Sequence, residues 1–148
     1  MSLVQDKWHS WECRDEDGVF FPNDEYIGLS FDAAGLTHTT ARVPVETLID
    51  KTPDGWTDID AACECSNDQY TVMGGGGSWE GEGWVALVEK ENRELKWLLH
   101  LSDSEAITEL TLEGEVVRAV ATYYPFRSIL KIPITRPETL SIIREIIS

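Results

Sequence analysis

Five β-rich runs follow one another between residues 83 and 134: WVALVEK, ELKWLLHLS, AITELTLEG, VVRAVATYY and RSILKIPIT. The breaks between them are short and polar, at Glu91-Asn92, Asp103-Ser104, Gly114-Glu115 and Pro125. A parallel pair needs a crossover of about a dozen residues or more, so connections this short call for neighbouring antiparallel strands. Residues 83–134 therefore read as a meander. Pro133 cannot donate to a ladder and marks an edge or a strand end. The chain then closes with TRPETLSIIREIIS. Thr135 and Glu138 have the spacing of a capping box, and Pro137 is tolerated in a first turn. Leu140, Ile143 and Ile147, with Ile142 and Ile146 beside them, form a broad apolar stripe. These signals predict a helix over 136–147 that packs on the sheet through Leu140, Ile143 and Ile147. The expected fold class is α+β: a largely antiparallel sheet, its C-terminal meander at 83–134, packed by a C-terminal helix.

The N-terminal half is less periodic. Trp8 and Trp11 are three apart and can share one side of a helical turn. From Gly18 the pattern is extended: GVFFP, a turn at Pro22-Asn23-Asp24, then EYIGLSF, whose alternation suits a half-buried strand. Thr37 to Val43 is β-prone. Pro44 opens a helix-like VETLIDK, which the turn residues Thr52-Pro53-Asp54-Gly55 stop. Residues 58–66 stay open between an acidic-faced strand and a helix capped by Asp58. With no repeat and no linker, residues 1–148 read as one domain.

Charge narrows the function classes. The 148 residues carry 12 Lys and Arg against 27 Asp and Glu, a net charge of −15. Between Lys51 and Lys90 there is no Lys, Arg or His, but there are eight carboxylates and three of the six tryptophans, Trp56, Trp79 and Trp84. Uncompensated acid repels nucleic acid and anionic membrane and attracts a basic partner. Interleaved Trp supplies amphipathic groups of the kind that anchor interfaces. The candidate contact residues are Asp54, Asp58, Asp60, Glu64, Asp68, Trp79, Glu80 and Glu82. Three cysteines, no signal peptide and no apolar run near the ~20 residues of a spanning helix point to a cytoplasmic protein with reduced thiols.

Other chemistry is weakly marked. The tract from Gly74 to Gly83 carries Glu80 and Glu82, leads into a strand and meets no cation until Lys90, unlike a phosphate loop, so it reads as a hairpin connection, a bulge, or a contact loop that lifts Trp79. Cys63-x-Cys65 is too closely spaced for structural zinc, with His9 and Cys13 remote, so no metal or other cofactor is expected. His9, His38 and His100 stand in no nucleophile motif. His100 lies among apolar residues, where a structurally satisfied histidine is the plainer reading.

The segment GGGGSWEGEGWVALVEKENRELKWLLHLSDS carries a further signal. Its Ser78-Trp79 turn, the Gly83-Trp84-Val85-Ala86-Leu87 strand and the Trp97-Leu98-Leu99 strand ending in Ser102-Asp103-Ser104 resemble small acidic bacterial immunity proteins of contact-dependent inhibition and other polymorphic toxin systems. The resemblance covers residues 74–134. It implies a protein without catalysis that binds one cognate toxin domain, often a basic nuclease, and blocks it. The alternative is a small enzyme or ligand-binding α+β domain, with a pocket on the sheet and a His/carboxylate pair in it.

Overall fold

A computed structural model describes residues 2–32 and 37–147. In chain order the elements are α1 (Leu3–His9), β1 (Glu12–Arg14), β2 (Gly18–Phe20), β3 (Glu25–Phe31), β4 (Thr37–Thr39), β5 (Val43–Pro44), α2 (Glu46–Lys51), β6 (Trp56–Ser66), β7 (Tyr70–Gly77), β8 (Gly83–Glu89), β9 (Leu95–Leu101), β10 (Glu109–Glu113), β11 (Val116–Tyr123), β12 (Phe126–Pro133), a 3-10 turn (Pro137–Thr139) and β13 (Ser141–Ile146). Among the described residues the strands form two antiparallel sheets. The larger has the order β1-β6-β7-β8-β9-β2-β3-β4, with β5 also on β3; the smaller is β10-β11-β12-β13.

The larger sheet is covered on both sides. Toward the small sheet it presents Val72, Val85, Leu87, Trp97, Leu99 and Leu101, which meet Leu110, Val117, Ala119, Leu130 and Ile132. On its other side Trp84, Ala86, Val88 and Leu98 lie under Val4 and Trp8 of α1 and under Val45 at the start of α2. Double cover explains why β8 and β9 are nearly continuous apolar runs rather than alternating ones.

The expected α+β class is corrected by this architecture. The stretch 136–147, expected as a helix, forms only the short 3-10 turn and then β13, which pairs antiparallel with β12, Leu130 opposite Ile142. Without it β12 would be an open edge, and a β-branched Ile-rich segment fits that ladder better than a lone helix. Leu140, at the end of the 3-10 turn, and Ile142 of β13 still reach the core, whereas Ile143 is exposed. Nor is 83–134 one meander. β8 and β9 belong to the larger sheet and β10–β12 to the smaller, because the chain changes sheet at 102–108. Pro133 is the last residue of β12, a strand with neighbours on both sides.

The glycine tract is sheet as well. Gly74–Gly77 are strand residues of β7. A Cβ on Gly76 would lie 2.9 Å from the Ala106 Cβ, and one on Gly74 3.1 Å from Ile107. The sheet-changing segment thus lies flat on a surface cleared of side chains, and the Ile107 N–H donates to the Gly75 carbonyl at 3.1 Å. A Cβ on Gly75 would come 1.9 Å from the Asp60 carbonyl, so the neighbouring strand needs that clearance too.

Candidate partner-binding surface

The acidic stretch runs from the turn before β6 to the loop after β7. The open choice at 58–66 is settled as strand: β6 covers Trp56–Ser66. A register shift between Ala61 and Cys63 marks a bulge. Ile59 packs on the helix side of the larger sheet, whereas Cys63 and Cys65 pack toward the small sheet. An even spacing would put all three on one face, so the bulge reverses the alternation. Asp58 and Asp60 therefore lie on one side of the edge and Glu64 on the other. At about 3.3 Å per residue, Asp58 and Glu64 are also roughly 20 Å apart along the strand. Asp68 sits beyond them in the β6–β7 turn, and Asp54 in the turn that precedes β6. All five are exposed, but they do not form one patch.

What does come together is Asp58, Asp60 and the 78–82 loop. The Ser78 N–H donates to the Asp58 carbonyl at 3.1 Å, and the Glu82 N–H to the Trp79 carbonyl at 3.3 Å, closing a tight turn. Gly81 holds φ +89°, the left-handed region where glycine is unstrained. Trp79 and Glu80 project from this turn, Trp79 with 61% of its surface exposed.

Glu82 does the opposite of what the sequence suggested. It is buried, and its carboxylate accepts the Trp79 backbone N–H at 2.6 Å and the Thr57 hydroxyl at 3.2 and 3.3 Å. Its Oε1 lies 2.9 Å from His100 Nε2, with both side chains sealed from solvent (0% and 1% exposed). The other ring nitrogen, Nδ1, is 3.0 Å from the Glu16 carbonyl. A carbonyl only accepts, so Nδ1 carries a proton. Nε2, left facing Glu82, has the carboxyl group as its hydrogen-bond partner. Nε2 and Oε1 then share one proton across a buried histidine–carboxyl pair. Gly77 makes room for it: a Cβ there would fall 2.6 Å from the Glu82 carboxyl carbon. Glu82 is thus removed from the contact set and becomes the fastening of the loop that carries Trp79.

The three tryptophans of the stretch divide likewise. Trp84 is buried, its indole N–H shared between the Gly76 and Asp60 carbonyls at 2.9 and 3.2 Å, with Trp8 packed edge-on at 5.6 Å. Trp56 is flanked by Lys7 and Arg14, at 4.9 and 5.0 Å from its ring. The stretch has no cation in sequence, but it borrows two in space. Arg14 is itself buried, forked onto the Glu16 carboxylate at 2.9 and 3.0 Å and bonded to the Thr52 carbonyl and hydroxyl at 2.9 and 2.7 Å. Sequence reasoning missed this arginine; its only local signal is the carboxylate two residues on. Of the three, Trp79 alone is widely exposed.

Carboxylates crowd the same end of the sheet. Burial pushes Asp15 above its ordinary value; His100 pulls it down, but Glu82, Glu16 and Asp17 add to the rise. Asp17 accepts the Ser102 N–H at 2.6 Å. The three cysteines are free thiols. Burial raises all of them, Cys13 most strongly, which keeps them protonated and unreactive at neutral pH.

The remaining histidines lie apart. His9 borders a hollow of about 140 Å³ whose lining holds no carboxylate. His38 is exposed and 3.2 Å from the Asp32 carboxylate. It lines an open hollow of about 610 Å³ beside the 3-10 turn, and Asp32 lines another of about 690 Å³ beside β13. No helix among the described residues is long and apolar enough to cross a membrane. Comparison with protein-family models, with curated proteins and with solved structures finds no match for this chain.

Proposed function

We propose that this chain is a binding protein that holds a basic protein domain against the corner made by Asp58, Asp60, Trp79 and Glu80, and that the partner is a toxin domain neutralised by stoichiometric binding. The observation that carries the reading is the mounting of Trp79: a largely exposed indole on a turn whose backbone is bonded from below by a buried carboxylate. An exposed aromatic on a fixed loop loses little freedom on binding, and flanking acids speed encounter with a cationic surface. The toxin assignment comes from the resemblance at 74–134. Asp54, Glu64 and Asp68 contribute long-range charge, screened over about 8 Å at physiological salt.

The test is association with the basic domain encoded beside this chain's own gene. Asp58→Lys with Asp60→Lys lowers the association rate and flattens its salt dependence. Trp79→Ala speeds dissociation, by about 2 kcal/mol or more if the indole is buried on binding. Binding unchanged after all three substitutions overturns the proposal.

The enzyme reading keeps one observation in its favour, the His38–Asp32 pair beside two open hollows. Turnover of a small substrate that is lost in His38→Ala, with partner binding intact, is the result that would favour it. The His100–Glu82 pair does not serve that reading, because no substrate reaches a sealed pair.

A further inference from the structure

The two sheets are not flush at the end that carries the Trp79 loop. Ala121 and Ser128 face each other across β11 and β12 and are buried, but the next residues of that same inner face, Tyr123 and Phe126, overhang into solvent. Ile146 continues the row opposite Phe126 and is 75% exposed. Beneath the overhang is a cleft of about 300 Å³, with these three side chains on one wall and Asp103 and Glu105 of the sheet-changing segment on the other. The cleft adjoins the Trp79 loop, since the Glu105 N–H donates to the Gly81 carbonyl at 2.7 Å.

The charges around it are unequal in their commitments. Arg144 also lines the cleft and donates to the Asp103 backbone carbonyl at 2.7 Å, and Glu145 is paired with Arg127. Among the described residues no ion pair engages the carboxylates of Asp103 or Glu105. An aromatic wall opposite two uncommitted carboxylates is a setting for a flat cation.

We propose that this cleft takes an arginine side chain of the basic partner, its guanidinium stacked on Tyr123 and Phe126 and its N–H groups directed at Glu105 and Asp103. This rests on the reading of the chain as a binder of a basic domain, and adds a pocket to it. The size is that of one side chain: cavities that bury drug-sized ligands run from roughly 300 to 1,000 Å³, and this one is at the bottom of the range and open. Phosphate-bearing ligands are repelled by the acidic rim, and a second copy of a chain with net charge −15 is repelled as a whole. A guanidinium fits better than an ammonium because it is planar, stacks on a ring and still presents its edge to carboxylates.

The probe is a short capped peptide, glycine–arginine–glycine, titrated into the isotope-labelled full chain and followed by backbone amide shifts. Counterparts carry citrulline or norleucine in place of arginine. The expected result is movement of amides at 103–105, 121–128 and 144–146, with arginine preferred over citrulline by about ten-fold. Glu105→Gln and Phe126→Ala each remove most of that preference while the thermal melt stays put; should Phe126→Ala fail to fold, Glu105→Gln alone decides. Equal binding of citrulline, stronger binding of norleucine, or arginine-induced shifts confined to 58–66 and 78–82 overturns the proposal. So does concentration-dependent movement of the cleft amides without peptide, which would make a second copy the occupant. A peptide that misses the cleft while the basic domain still binds removes the cleft alone. Loss of the basic domain with the peptide still seated removes the docking corner alone.

Discussion

The larger sheet has two buried faces of different character. Toward the small sheet lie Val72, Val85, Leu87, Leu99 and Leu101, with no charged group among them. Toward the helices, Trp84, Leu98 and Met73 share the space with Thr57, Glu82 and His100. Neighbours in sequence are divided between them, Leu99 to one and His100 to the other. The apolar face holds the molecule together by area, and its losses should be graded with the atoms removed. The mixed face holds a particular geometry, and its polar groups are either all satisfied or expensive. The exposed loop is tied to the second face, not the first.

The largest effect expected from breaking this contrast is at His100. His100→Ala leaves the buried Glu82 carboxyl group without its ring partner and should cost about 3–5 kcal/mol in urea denaturation. A loss below about 1 kcal/mol would show that water reaches the pair. On the apolar face, Leu99→Ala should cost about 2–5 kcal/mol, and Leu99→Met less than about 1.5 kcal/mol because it conserves volume. If the two Leu99 variants melt alike, that face is not graded.

A double substitution sharpens the comparison further. Replacing Glu82 and His100 together by Leu should recover stability to within about 1–2 kcal/mol, since apolar replacement of a whole buried pair is often neutral. The Trp79 N–H then loses its acceptor, so its hydrogen exchange should rise and the dissociation rate of a bound basic domain should increase. Recovery of stability with Trp79 exchange unchanged would separate the pair from the loop.

The smallest effect is at the margin of the mixed face, where α1 is held by Asp24. Burial raises the Asp24 carboxyl, but the N–H groups of Val4 and Leu3 and the Ser2 hydroxyl outweigh it and set the group below its ordinary 3.8. A carboxylate lowered on folding contributes stability above its unfolded value and loses it as pH falls through the folded one. Acidification below about 4 should therefore loosen α1 and change Trp8 emission before global unfolding, and Asp24→Asn should show a smaller change.

Much of this division was out of reach of the sequence for physical reasons. Strands β8 to β12 were legible because their apolar runs are strand-length and their breaks short. The last segment was not, since SIIREII satisfies both a helical stripe and a strand alternation, and only the open edge of β12 decides between them. The glycine tract looked like a loop, because a sequence does not display the segment 104–107 that those glycines admit. At the site, the exposure of Trp79 and Glu80 on a loop clear of the sheet was readable. Glu82 was not separable from Glu80, two positions earlier in a run of the same character; the partner that buries it, His100, arrives from another strand.

The order of strands also sets a timetable for synthesis. In the small sheet each strand pairs with its neighbour in the chain, so it can assemble as it is made. The larger sheet cannot: Val19 of β2 lies opposite Leu99 of β9, eighty positions later. At about 5–20 residues per second, β2 leaves the ribosome roughly 4–16 s before the strand it must join. Through that interval Val19 and Phe20, among the most deeply buried side chains of the finished molecule, have no native ladder to enter on that side. A nascent chain stalled before β9 should accordingly be degraded readily and bound by chaperones, whereas one extended through β13, which also covers the apolar face, should resist protease.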